Sequence, residues 1–223
     1  MERDLRKPIL ANALAGVSAI VFDWNGTILN DGERARLATN RVLAEMALPA
    51  LSVDRFRETF SLPMDRYFQS LGVLKIDVEE AVADWSRFLV GGHIELSAGV
   101  PEMLIAAKLR GIPVGIVSAA SEVVVRSDAK QLGIEESLSI IVGDSRVKSA
   151  ALREISAKVE GTLLYCGDTE YDIIEAKVAG AISVGFGGGY RPGSELRKVD
   201  PLVVIDDFSE IAEALTTAAV IRK

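Results

Sequence analysis

The sequence predicts an α/β fold, a doubly wound parallel sheet with a small all-helical domain inserted after the first strand. Three observations carry this. Short apolar runs alternate with helical stretches from Val114 onward, and parallel strands need such crossovers. Residues 31–95 instead read as helix only, a shift that marks a separate small unit between two parts of one sheet domain, 1–30 and 96–223. Finally, the apolar runs end in polar side chains, at the strand edge where open α/β sheets hold their ligands.

Composition leaves room for this and excludes other classes. Of 223 residues, 49% are hydrophobic and 26% charged, which is ordinary globular usage. A net charge of −7 argues against a surface built for nucleic acid or acidic lipid. One histidine, His93, excludes a multi-histidine metal site, and the lone Cys166, inside an apolar run, reads as a space filler. No run approaches membrane-spanning length and no signal-peptide core follows the basic residues near the start, so the expected location is cytoplasmic.

Taken in order, Pro8 to Leu14 reads as a turn or two of helix, and Ala19-Ile20-Val21-Phe22 as a strand covered on both faces. Glu33 to Ala47 places Ala35, Ala38, Val42, Leu43 and Met46 on one helical face, and Pro49 stops it. Ser52 caps a helix carrying Phe56 and Phe60, which Leu62-Pro63 breaks. A short helix at Asp65 to Leu71 follows, then a longer one behind an N-cap at Asp77, with Val78, Val82, Trp85, Phe88 and Leu89 in step. Gly91-Gly92 and Leu96 to Val100 read as the return linker.

The second part alternates. Pro101 suits the first turn of a helix that Gly111 ends, and strand Val114–Val117 leads to Ser118. A helix from Ser121 to Leu132 precedes strand Ile140–Val142, Gly143-Asp144 and a helix from Lys148 to Lys158. Strand Thr162–Cys166 runs into Gly167-Asp168 and a helix ending at Ala179. Strand Ile182–Phe186, the loop Gly187-Gly188-Gly189, strand Leu202–Ile205 and a helix from Asp207 to Val220 complete the chain. The glycine spacings match neither a dinucleotide-binding turn nor a P-loop.

Asp23, Ser118, Asp144, Lys148 and Asp168 thus follow successive strands and converge on one edge. Crowded carboxylates stay ionised beside a cation or a lysine, and with oxygen ligands alone the fitting cation is Mg²⁺. A cation, a lysine and a hydroxyl around a carboxylate suit a phosphoryl group, with Asp23 as nucleophile. Taken singly, Ser118 reads as a turn former, Lys148 as a solvated helix start and Asp172 as a surface carboxylate; Asp144 is balanced between supporting the site and forming a turn.

These residues carry a resemblance. DWNGT at Asp23–Thr27, Ser118, Lys148 and GDTEYD at Gly167–Asp172 resemble, in order, the four signatures of the haloacid dehalogenase-like (HAD-like) hydrolases, in particular the phosphoglycolate-phosphatase-like branch with a helical cap. The resemblance implies a HAD-like Rossmannoid core and a phosphatase acting on a small phosphorylated metabolite through an aspartyl-phosphate. It implies that Asp23 and Asp168 ligate Mg²⁺ together with the backbone carbonyl of Asn25, that Asp172 stands behind them, and that Thr27, Ser118 and Lys148 hold phosphate. Neither nucleic acid nor membrane is an expected partner, and both monomer and homodimer are open. The usual proline after the lysine is Ser149 here; Lys130, late in its helix, is the weaker substitute.

The main departure is Asn25. The family's phosphatases carry a second aspartate there as general acid and base, help worth ~10²–10⁴-fold in rate that a carboxamide cannot supply. Alternatives are therefore a carbon–phosphorus or carbon–halogen hydrolase, or a phosphate-ligand sensor with negligible turnover. For carbon–phosphorus cleavage, the resemblance to phosphonoacetaldehyde hydrolases at the Asp23-Trp24 pair implies a Schiff-base lysine in the inserted unit, where only Lys75 is available. Leu62-Pro63-Met64 and Arg66 are the candidates there for contact with substrate.

Overall fold

A computed structural model of the chain describes residues 6–90 and 93–221, so Gly91-Gly92 lies outside the described residues. Helix α1 (Arg6–Leu14) leads into β1 (Val17–Phe22), and four helices follow without a strand: α2 (Gly32–Glu45), α3 (Val53–Thr59), α4 (Met64–Ser70) and α5 (Val78–Phe88). The chain then alternates through α6 (Val100–Leu109), β2 (Val114–Val117), α7 (Glu122–Gln131), β3 (Ile140–Val142), α8 (Lys148–Val159) and β4 (Thr162–Gly167). It ends with α9 (Glu170–Ala179), β5 (Ile182–Phe186), α10 (Gly193–Leu196), β6 (Val203–Ile205) and α11 (Ser209–Ile221).

The six strands form one sheet in the order β3-β2-β1-β4-β5-β6, and every pairing is parallel. Alternation along β1 shows why both faces are covered. Ile20 and Phe22 point into a cluster with residues of α1, α6, α7 and α11, whereas Ala19 and Val21 join Leu152 and Ile155 of α8 and Ala176 of α9 on the other side. Because β1 and β4 are neighbours and the winding reverses between them, a crevice opens beyond their carboxyl ends.

The helices α2–α5 make a cluster of their own, built on Ala35, Val42, Phe56, Phe60, Phe68 and Ala81. Its one member from the sheet side is Tyr190, in the loop after β5. The two connections to this insert run side by side: Leu29 bridges Leu96 antiparallel, and Asn30 N donates to Glu95 O at 2.9 Å.

Three local readings change. β1 starts at Val17 because that residue pairs with Thr162 beyond a register shift that the polar Ser18 conceals. Asp77 sits before α5 without a side-chain capping bond, whereas Ser52 does cap α3 by accepting from Arg55 N. The stretch after Gly189 contains the one-turn helix α10, anchored by the buried Leu196; one turn is too short to show a period.

Candidate active site

The loop Asp23–Asp31 leaves β1 at the crevice. Asp23 continues the ladder, its N–H donating to Cys166 O at 2.9 Å, and the chain then folds back so that Leu29 N donates to Trp24 O at 2.9 Å. Gly26 makes this turn possible on two counts. Its φ is +74°, and a Cβ there would fall 2.3 Å from Asp168 Oδ2 and 2.8 Å from the Tyr190 ring.

Asp23, Asp168 and Asp172 are buried and each offers a carboxylate oxygen within 4.8 Å of the others. Lys148, fully enclosed at the start of α8, joins two of them: its Nζ lies 2.8 Å from Asp23 Oδ1 and 2.6 Å from Asp172 Oδ1. Asp172 is fixed from behind by a capping box, in which Thr169 N (3.1 Å) and Oγ1 (2.5 Å) donate to Oδ2. The Tyr165 hydroxyl stands 3.2 Å from its Oδ1. Asp168 accepts from Thr27 Oγ1 at 3.0 Å and from Tyr190 N at 2.7 Å.

Burial sets the electrostatics. It raises Asp23 to about 6, against the lowering effect of the Lys148 ammonium and with a further push from Asp172. Burial, then the Asp172 and Asp23 charges, lifts Asp168 well above the carboxylate range. For Lys148, burial alone would lower the ammonium, but Asp172 and Asp23 outweigh it and hold it above the usual lysine range. Two oxygen-bearing groups whose ionised forms are disfavoured, facing each other across a small gap, are a donor set that fits a hard divalent cation.

On the other side of the loop is a second centre that sequence reasoning missed. Asp31, itself buried, accepts from Asn25 Nδ2 at 2.7 Å, Gly26 N at 2.9 Å, Tyr190 OH at 2.7 Å and Arg34 at 2.8 Å. The Tyr190 ring packs edge-on against Phe60 of the insert, centroids 4.7 Å apart, so this one residue touches Asp168, Asp31 and the insert. Beside it, Arg191 pairs with Glu170 at 2.6 Å and donates to the carbonyls of Arg57, at 2.9 Å, and Glu58 at the end of α3.

The expected residues distribute as follows. Asp23, Lys148, Asp168 and Asp172 come together. Ser118 is buried at the end of β2 with Oγ accepting from Ala120 N at 3.1 Å. Thr27 directs its hydroxyl to Asp168, and the Asn25 carboxamide is held by Asp31. Asp144 is exposed and accepts from Glu122 N at 3.3 Å, which makes it a turn and helix-start residue. Lys130, Arg66 and Lys75 are exposed. The capping box T-x-x-D was a legible signal for Thr169; nothing in the sequence marked Tyr190 or Arg191.

The haloacid dehalogenase-like hydrolase profile matches residues 20–186, from β1 to the end of β5. Phosphoglycolate phosphatase of Xanthomonas campestris pv. campestris is 26% identical over 198 residues, covering 82% of this chain and 87% of that protein. The enzyme of the same name from Photobacterium profundum is 27% identical over 223 residues, covering 91% and 97%. In fold, the chain is similar to the crystal structure of a predicted phosphatase from Clostridium acetobutylicum, with TM-score 0.79, 16% identity and coverage of 90% and 98%. The matched residues 20–186 include Asp23, Lys148, Asp168 and Asp172, and the chain belongs to the haloacid dehalogenase-like hydrolases.

Proposed function

We propose that the chain is a Mg²⁺-dependent phosphatase of a small phosphorylated metabolite, working through an aspartyl-phosphate on Asp23, as a monomer or homodimer in the cytoplasm. The observation that carries this is the Lys148 bridge between Asp23 and Asp172 beside Asp168. The phosphoglycolate phosphatases among its relatives support the reaction class. Among the described residues no helix is long and apolar enough to cross a membrane.

In this reading Asp23 Oδ attacks phosphorus in line with the departing oxygen, and Lys148 orients the carboxylate while its charge faces the phosphoryl oxygens. Ser118, whose oxygen already accepts from Ala120 N, has its hydroxyl hydrogen free to donate to the phosphoryl group. Asp23, Asp168 and the Asn25 carbonyl would hold Mg²⁺, which when bound neutralises charge on the phosphoryl oxygens. Thr27 and Tyr190 N fix Asp168, and Thr169 fixes Asp172 so that Lys148 stays in place. The helical insert serves as the cap that excludes water, with Tyr190 and Arg191 as its contacts to the sheet domain.

Hydrolysis of p-nitrophenyl phosphate tests the proposal. Turnover is expected with Mg²⁺, lost on chelation and abolished by Asp23→Asn with folding retained. Failure on aryl and alkyl phosphates alike, with Mg²⁺ and phosphate still raising the melting temperature, would instead favour the ligand-sensor alternative, for which the immobilised Asn25 is the motivating observation.

A further inference from the structure

The reaction proposed above leaves open what the departing oxygen must be like, and the surroundings of Asp23 answer this. A basic leaving group, such as an alkoxide, needs a proton as the phosphorus–oxygen bond breaks. Among the described residues, the polar side chains around the three carboxylates are committed, except for the Ser118 hydroxyl, which in this reading donates to the phosphoryl oxygens and, as an alcohol, is too weak an acid to protonate a leaving group. Lys148 is spent on Asp23 and Asp172. Thr27 donates to Asp168, Thr169 to Asp172, and the Tyr165 hydroxyl lies between Val117 O and Asp172. On the far side, Glu170 is paired with Arg191, and Asp31 is an acceptor for four donors, including the Arg34 guanidinium. His93 is exposed in the return linker next to Glu95. Asn25, two residues from the nucleophile, carries an amide whose hydrogen is given to Asp31.

On this ground, and resting on the phosphatase reading, we propose that the substrates are phosphates whose leaving group departs as a stable anion, in the first place acyl phosphates. The steps then balance without an enzyme acid. An Asp23 oxygen bonds to phosphorus, the bond from phosphorus to the acyl oxygen breaks, and its electron pair leaves on a carboxylate that takes no proton. Water next attacks phosphorus and the bond to Asp23 breaks. The leaving group is now the Asp23 carboxylate itself, and both protons of the water remain on the product, dihydrogen phosphate. Only the first step is sensitive to a missing acid, and only for basic leaving groups.

The contact at Asn25 also predicts that aspartate there alone is destabilising. Asn25→Asp would set a second carboxylate 2.7 Å from Asp31 Oδ2. Exchanging the pair, Asn25→Asp with Asp31→Asn, keeps one amide donor facing one carboxylate and leaves the net charge unchanged.

The test is kcat/KM, with Mg²⁺, for acetyl phosphate, p-nitrophenyl phosphate and glycerol phosphate. The wild type is expected to favour acetyl phosphate over glycerol phosphate by at least ~10²-fold, the lower bound of general-acid assistance. The exchanged pair is expected to narrow the preference for acetyl phosphate over glycerol phosphate at least tenfold, and Asn25→Asp alone to lower the melting temperature. Wild-type rates within threefold of one another across the three substrates would overturn this inference and leave the phosphatase reading standing. No turnover of any of them would overturn that reading, and this one with it. If the exchanged pair does not fold, the wild-type ratio decides.

Discussion

The two sides of the loop Asp23–Asp31 are electrostatic opposites. On the Asp23 side one cation, Lys148, serves two carboxylates, with the third, Asp168, nearby. On the Asp31 side one carboxylate serves four donors. The first side has a deficit of positive charge, which a metal ion and a phosphoryl group bound through it can use. The second already has its acceptor shared among four donors. In the proposed reading the same short loop carries a reactive end and a structural end, and the Asn25 side chain falls on the structural one.

Removing the cation from the reactive end is expected to have the largest effect. Lys148→Met leaves Asp23 and Asp172 buried without their partner, a loss of about 3–5 kcal/mol. Near 2–4 °C per kcal/mol for a chain of this size, the melting temperature should fall by roughly 10 °C. Phosphatase activity should be undetectable. A variant as stable as the wild type would mean that the bridge contributes nothing to the fold.

The matching change at the structural end is Asp31→Ala. It strips the acceptor from the Arg34 guanidinium, the Gly26 N–H, the Tyr190 hydroxyl and the Asn25 amide at once. A cost of about 2–4 kcal/mol follows from leaving buried donors unmade. Because the hydrogen bonds of Asp31 run to Asn25, Gly26, Arg34 and Tyr190 and not to Asp23 or Lys148, kcat/KM should fall by less than in the lysine variant. Complete inactivation with unchanged stability would move Asp31 from the structural to the reactive end.

The two ends also differed in how readable they were. Strand–helix alternation, and the positions of Asp23, Ser118, Lys148, Asp168 and Asp172 after their strands, follow from apolar runs and turns within a few residues of each side chain. The Asp31 centre does not. Its tyrosine partner lies 159 residues away, in a loop after β5, and the two meet only because β1, β4 and β5 are adjacent in the sheet. Asp31 occupies the N-cap of α2, yet its side chain makes no capping bond. The contact of Thr27 was hidden for the same reason, since the acceptor of its hydroxyl, Asp168, follows another strand. What depends on strand order was hidden, and what depends on strand ends was not.

The smallest expected effect concerns protons at the reactive end. Burial lifts Asp23 from near 3.8 to about 6, and Asp168 is displaced in the same direction. Between those two values the folded chain holds a proton that the unfolded chain has released. Bound protons in the folded state then exceed those in the unfolded state, so these groups make stability fall as pH rises through about 4 to 6. Mg²⁺ competes with the same protons and should bind more tightly once they are gone. The rise in melting temperature on adding Mg²⁺ to metal-free protein should therefore be a few degrees larger at pH 7.5 than at pH 5. Asp31→Ala should show the same pH dependence, because its centre is on the other side of the loop, whereas Asp168→Asn should lose most of the Mg²⁺ response at both pH values. An equal Mg²⁺ shift at pH 5 and 7.5 in the wild type would break the contrast between the two ends, since it would mean that the carboxylates at Asp23 and Asp168 are no harder to ionise than ordinary ones.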